Sequence, residues 1–135
     1  MKRIYVTYCS GEKDDSLKGT NIKTTPDRLY TSSRIQPFIK RCKEKGVKWA
    51  IFSDKYDVVF PHDKIEWYEK HPNSVTEKEF QQLVKNLIHK LSIYDEIYFY
   101  HNPGRFHGLY KRLVNDARQR GMNIKLISHL SDIEN

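Results

Sequence analysis

Four short apolar runs alternate along this chain with three stretches of helical period, and that alternation limits the fold more than any other feature. The runs are Arg3 to Tyr8, Lys48 to Ser53, Glu96 to Tyr100 and Asn123 to Ile127. Between them, apolar residues recur every three or four positions: Ile35, Phe38, Ile39 and Cys42, then Phe80, Leu83, Val84, Leu87, Ile88 and Leu91, then Phe106, Leu109, Tyr110, Leu113, Val114 and Ala117. A strand that returns to its own sheet through a helix does so by a right-handed crossover, which leaves the two strands parallel. The pattern predicts an α/β fold: a three-layer sandwich with a four-stranded parallel sheet in the order 2-1-3-4, Rossmann- or flavodoxin-like. A chain of 135 residues suits one domain over residues 1–135, built on one core.

Local signals set the element ends. Ser32 or Ser33 is placed to cap the first helix, Pro37 falls in its first turns, and Gly46 stops it. The second helix opens on a capping box, Thr76-Glu77-Lys78-Glu79, in which hydroxyl and carboxylate satisfy each other's backbone amides. The third is read as opening at Asn102-Pro103-Gly104, with Asn102 as N-cap and Pro103 at the first helical position, and as ending at Gly121. Cys9 to Pro26 reads as a long polar loop. Tyr56 to Tyr68 reads as irregular because Pro61 interrupts it, and Ser128 to Asn135 as a tail or short turn.

The charge balance narrows the partners. Lys and Arg outnumber Asp and Glu by 24 to 17, a formal net charge of +7. This favours an anionic partner, whether nucleotide, nucleic acid or anionic surface, against the plainer reading of solvated surface charge. Nine tyrosines, six phenylalanines and two tryptophans argue for a packed core rather than disorder. The apolar stretch before Cys9 is too short for a signal peptide, and no run approaches the ~20 residues of a membrane span. The expectation is a cytoplasmic protein with no membrane partner and with Cys9 and Cys42 as free thiols. The six histidines are scattered and no metal-ligand spacing appears, so neither metal nor cofactor is expected.

The predicted topology brings the loops after the first three strands to one edge, where open α/β sheets place their ligands. After the first strand, Gly11 allows close backbone approach, Ser10 offers a hydroxyl, and Lys13 neutralises a phosphate or carboxylate. Cys9 is a nucleophile there if a cation or histidine lowers its pKa, and otherwise packs as most free cysteines do. After the buried run Trp49-Ala50-Ile51-Phe52, Ser53, Lys55 and Tyr56 either hold an anion or polar base or merely end the strand. After the third strand, Asn102 and the helix start offer amides, with Arg105 adding a fork donor. Any capped helix start does as much. His101 or His107 is an acid or base near neutral pH, or a solvated cap. Arg34, Lys40, Arg41, Lys43 and Lys45, with Lys111, Arg112, Arg118, Arg120 and Lys125, form either a basic face or ordinary solvated charge.

Several pieces occur together in a recognisable order: Cys9, Ser10 and Lys13; Leu29, Tyr30 and Thr31; Trp49, Ile51, Ser53, Lys55 and Tyr56; Pro61; Tyr68. In this the chain resembles a widespread prokaryotic and phage family of unassigned function, loosely labelled peroxide-stress-like, from the first strand to the fourth. Two places depart from its pattern. Asp57 stands where that family has glycine, and His101-Asn102-Pro103-Gly104 replaces its small-residue turn. The Cys9-Ser10-x-x-Lys13 piece is also similar, more weakly, to the core domain of archaeosine synthase, an archaeal tRNA-modifying relative of tRNA-guanine transglycosylase. That similarity implies a nucleobase- or tRNA-linked role, although the transglycosylase zinc site has no counterpart here.

The resulting expectation is a protein that binds a nucleotide or modified nucleobase, extending to an enzyme of tRNA or DNA modification or of nucleotide metabolism. Cys9, Ser53, Lys55 and His101 are the catalytic candidates, with Cys9 as nucleophile and His101 as base if the chemistry is covalent. Ser10, Lys13, Tyr30, Thr31, Tyr56, Asn102 and Arg105 are the ligand-binding candidates. Lys13, Lys55 and Arg105 hold phosphate, Tyr30 or Tyr56 stacks a base, and Ser53 orients it. The alternative is a non-catalytic nucleic-acid-binding module that uses the basic faces of the first and third helices. In a third reading the edge cluster is structural in an interaction protein. Whether the chain is a catalyst, and its oligomeric state, stay open.

Overall fold

Along β1 (Arg3–Tyr8), Ile4, Val6 and Tyr8 point into one core and Tyr5 into another, so this strand is covered on both faces. The structure, a computed structural model, describes all 135 residues, Met1–Asn135. After β1 come β2 (Lys23–Thr24), the one-turn helix α1 (Pro26–Leu29) and α2 (Ile35–Lys45). Next are β3 (Trp49–Ser53), β4 (Asp57–Val59) and β5 (Ile65–Glu66), then α3 (Glu77–Leu91). The chain closes with β6 (Glu96–Tyr100), α4 (Gly108–Gln119) and β7 (Ile124–Ile127). No helix is long and apolar enough to cross a membrane.

The main sheet has five strands in the order β4-β3-β1-β6-β7, and β2 and β5 form a separate two-stranded ribbon. β3, β1, β6 and β7 pair in parallel, whereas β4 runs antiparallel to β3. The fold is therefore α/β: the four strands read from the sequence lie parallel in the order 2-1-3-4, as β3-β1-β6-β7, and the antiparallel β4 added beyond β3 corrects the expected four-stranded, wholly parallel sheet to a five-stranded, mixed one. The added edge strand was hidden by its brevity and by Pro61 close behind it. A tight turn over Asp54-Lys55-Tyr56 brings Asp57 opposite Ser53. Asp57 adopts a left-handed φ of 55°, a conformation that glycine takes freely and aspartate tolerates. The departure at Asp57 has a physical reason here: α3 holds the Asp57 carboxylate, with Asn86 Nδ2 donating at 2.9 Å and Lys90 Nζ at 2.6 Å.

Helices cover both sheet faces. On one, Phe80, Leu83, Val84, Leu87 and Leu91 of α3 and Tyr110, Leu113, Val114 and Ala117 of α4 pack on Ile4, Val6, Ala50 and Phe52. On the other, Ile35, Phe38, Ile39 and Cys42 of α2 pack on Tyr5, Trp49 and Ile51, with Ile133 of the C-terminal segment closing the end. Each such aliphatic or aromatic side chain contributes roughly 1.5–3 kcal/mol by burial. α2 ends at Gly46 in a left-handed conformation (φ 65°), and α3 carries the full capping box of Thr76 and Glu79. Because α2 and α4 lie on opposite faces, their lysines and arginines do not share one surface.

The third helix starts later than its sequence suggests. Asn102 caps a separate 3-10 turn, Pro103–Arg105, and α4 begins at Gly108 with His107 as its N-cap. Tyr8 is the cause. Its hydroxyl donates to the Arg105 carbonyl (3.1 Å) and accepts from the Asn102 amide (3.2 Å), which pins the turn over the end of β1.

Candidate functional site

From the carboxyl end of β1 the chain departs toward α2 on one face, and from the end of β6 toward α4 on the other. The two connections part and leave a crevice, the place where open α/β sheets bind ligands. A cleft of about 260 Å³ occupies it. The loop after β1 supplies Cys9, Ser10, Glu12 and Lys13, and the start of α2 supplies Ser33 and Arg34. Asp54 enters from the end of β3, Tyr110 from α4, Asn102, Arg105 and His107 from the segment after β6, and Lys70 from across the mouth.

The floor is built from buried polar groups. Cys9 continues the β1 ladder through its amide, which donates to the Phe52 carbonyl at 2.8 Å. Its Sγ lies 3.3 Å from Tyr110 Oη and donates to Asp54 Oδ1 at 3.6 Å. Burial pushes the Cys9 thiol above its ordinary value, and the Asp54 charge pushes it further. Burial likewise raises the Asp54 carboxyl, against the pull of Cys9, Lys13 and Lys70. Asp54 is 2 % exposed, and its Oδ2 is buried without any hydrogen-bond partner.

Lys13, 8 % exposed, is held in place by the backbone around it. Lys13 bridges Tyr30, the Thr31 amide donates to Glu12 O (3.2 Å), and the Asp14 amide donates to Leu29 O (2.9 Å). Leu29-Tyr30-Thr31 is thus a scaffold under the loop that carries Lys13. The Lys13 ammonium lies 4.3 Å from the Tyr68 ring centroid, a cation–π contact, and it makes no hydrogen bond or ion pair. Burial lowers its pKa, with Cys9 and Asp54 opposing.

Arg34 clamps the end of β1. It donates to Thr7 Oγ1 (2.6 Å), Tyr8 O (2.8 Å) and Cys9 O (3.3 Å), and its guanidinium lies 3.8 Å from the Tyr8 ring centroid. At the mouth, Lys70 pairs with Glu79 (3.1 Å). His107 accepts the Leu109 amide at Nδ1 (3.0 Å), leaving Nε2 to donate to Asn73 Oδ1 (2.7 Å). Arg105 is exposed, and its guanidinium makes no hydrogen bond or ion pair. No three His, Cys, Asp or Glu side chains gather into a group able to hold a metal.

Of the residues singled out from sequence for the edge site, the cleft brings together Cys9, Ser10, Gly11, Lys13, Asn102, Arg105 and His107. It does not bring in Ser53, Lys55, Tyr30, Thr31, Tyr56 or His101. Ser53 is fully buried; its Oγ accepts the Lys55 and Tyr56 amides (3.1 and 3.0 Å) and donates to Tyr68 Oη (2.9 Å). Tyr68 meets Tyr30 at 2.7 Å, so the two phenols and Ser53 form one satisfied chain of hydroxyls. Tyr30 is completely enclosed and offers no face for stacking. Lys55 is exposed beside Tyr56, 5.2 Å from its ring centroid. Thr31 is exposed outside the cleft, and His101 is tied to the Ile127 carbonyl at 2.9 Å.

Cleft groups that the sequence did not single out include Asp54, Tyr110, Arg34 and Lys70, with Glu12 and Ser33 beside them. Tyr110 reads as a core position, and Arg34 as one of many surface cations. Asp54 directly follows a buried strand, and that is the one signal that marked it.

The family model that matches this chain, over residues 4–126, is that of a family of unknown function (DUF6884). A comparison with curated proteins returns no match.

Proposed function

The chain belongs to this family of unknown function, DUF6884, and from its geometry we propose that it binds a nucleotide in the crevice between the β1 and β6 loops. The observation that supports this reading is the charge lining one cleft at the strand ends. Lys13, Arg34, Lys70 and Arg105 outnumber Glu12 and Asp54 there, and the Arg105 guanidinium is uncommitted at the mouth. A planar guanidinium with free donors matches a phosphate, and such a charge-assisted bond contributes about 1.5–3 kcal/mol. Ser10, Ser33 and Asn102 add neutral hydrogen-bonding groups beside it. The cleft is smaller than the roughly 300–1,000 Å³ of pockets that enclose a whole ligand. One end of the nucleotide enters and the rest stays at the mouth.

Calorimetric titration of nucleoside monophosphates and of the matching nucleosides, at low salt, tests the reading. The phosphate is expected to improve binding about tenfold or more, and Arg105→Ala to remove most of that gain. Binding that ignores the phosphate, or no binding at millimolar ligand, contradicts it.

A further inference from the structure

Two charged side chains, Asp54 and Lys13, face the same cleft without pairing with each other. Asp54 uses Oδ1 to accept from Cys9 Sγ and leaves Oδ2 with nothing. Lys13 rests its ammonium on the Tyr68 ring and donates to no acceptor. The pair is not in ionic contact, because the ion pairs of the molecule lie elsewhere. A buried polar atom without a partner costs free energy, and Asp54 Oδ2 is such an atom, while the Lys13 ammonium beside the cleft has donors to spare. Such an arrangement is explained if a ligand supplies an acceptor for one and a donor for the other.

Resting on the nucleotide reading above, we infer that the base of the nucleotide, and not its phosphate, enters the floor of the cleft, where Lys13 donates to an acceptor and Asp54 accepts from an adjacent N–H on the hydrogen-bonding edge of the base. Adjacent donor and acceptor atoms are what every nucleobase edge presents and what a phosphate lacks. The floor is also closed to phosphate on electrostatic grounds. The Asp54 carboxylate repels a second anion there, and the Arg34 guanidinium is already engaged by Thr7, Tyr8 and Cys9. The uncommitted cation for the phosphate is Arg105, and it stands at the exposed mouth. The charge order from floor to mouth therefore fixes the direction in which the ligand lies.

Calorimetry with edge-blocked analogues tests the orientation on the wild-type protein, with no variant needed. The pairs are guanosine monophosphate against its N1-methyl form and adenosine monophosphate against its N6,N6-dimethyl form. The expected result is a loss of tenfold or more on blocking the edge of whichever nucleotide binds. In Asp54→Ala, which removes the acceptor altogether, that blocked-to-unblocked ratio shrinks toward one while the gain from the phosphate persists. Equal affinity for blocked and unblocked nucleotides, with the phosphate gain intact, overturns this inference and leaves the nucleotide reading standing. Absence of any nucleotide binding overturns both.

Discussion

At Asp54 the carboxylate sits nearly buried in the floor of the cleft, with one oxygen accepting from a weak thiol donor and the other from nothing. Burial raises its pKa in the folded chain above the ordinary 3.8. A group so raised favours the fold fully below its unfolded pKa and gives up that contribution as pH rises through its folded pKa. The isosteric Asp54→Asn change is therefore predicted to raise the melting temperature at pH 7 by about 2–6 °C, on the order of 1 kcal/mol in a chain of this size. At pH 3.5 the two melting curves should nearly coincide. An unchanged or lower melting temperature at pH 7 contradicts the assignment of Asp54 as a residue held strained for a ligand. Cys9, Ser10 and Lys13 were legible in the sequence as cleft residues because a strand end followed by a polar, glycine-containing loop is visible without coordinates. Asp54 was not, since its burial depends on the β3–β4 hairpin. Its neighbour Ser53 was read as a ligand contact, yet its hydroxyl is consumed in capping that same turn.

Between elements, the clearest electrostatic tie joins α4 to the first turn of α3. Arg112 donates to both oxygens of Glu77 at 2.6 and 2.7 Å while its guanidinium covers Phe80, 3.9 Å from the ring centroid. The Arg112 hydrogen bonds, followed by that from Gln81, bring the Glu77 carboxyl down to about 2 from 4.5. With the folded pKa depressed, the stabilisation is present above pH 4.5 and is lost as pH falls toward 2. Wild type is predicted to lose melting temperature more steeply than Glu77→Gln over that interval, by a small margin that salt narrows because the pair is exposed. Parallel curves would show that the tie contributes nothing. The capping box of α3 and the glycine stop of α2 could be read from sequence because each depends on a few adjacent residues. The start of α4 could not. Asn102-Pro103-Gly104 has every local sign of a helix start, but the Tyr8 hydroxyl, contributed from a distant strand, makes it a separate turn. Edge strand β4 escaped for a similar reason: its left-handed Asp57 is supported by Asn86 and Lys90 of α3.

For the whole molecule, alternation of apolar runs and helical stretches carried most of the architecture. It could not reveal a three-residue antiparallel strand, nor which of many cations turn inward. Charge follows the fold rather than the sequence. Arg34 of the α2 region is drawn to the end of β1, Arg118 of α4 donates to the Ile124 carbonyl, and Arg41 of α2 to the Ile133 carbonyl. The remaining cations of α2 and α4 are divided between two faces of the sheet. The crevice between the β1 and β6 connections, by contrast, gathers its charges from five separate segments onto one cleft. On the reading proposed above, this crevice is where the molecule meets a nucleotide. The most direct measurement is a map of amide chemical-shift changes as a nucleoside monophosphate is titrated into isotope-labelled protein. Saturable shifts are expected in residues 9–13, at Arg34 and Asp54, and across 102–107. Saturable shifts on the outer faces of α2 or α4, with the crevice unmoved, would contradict it.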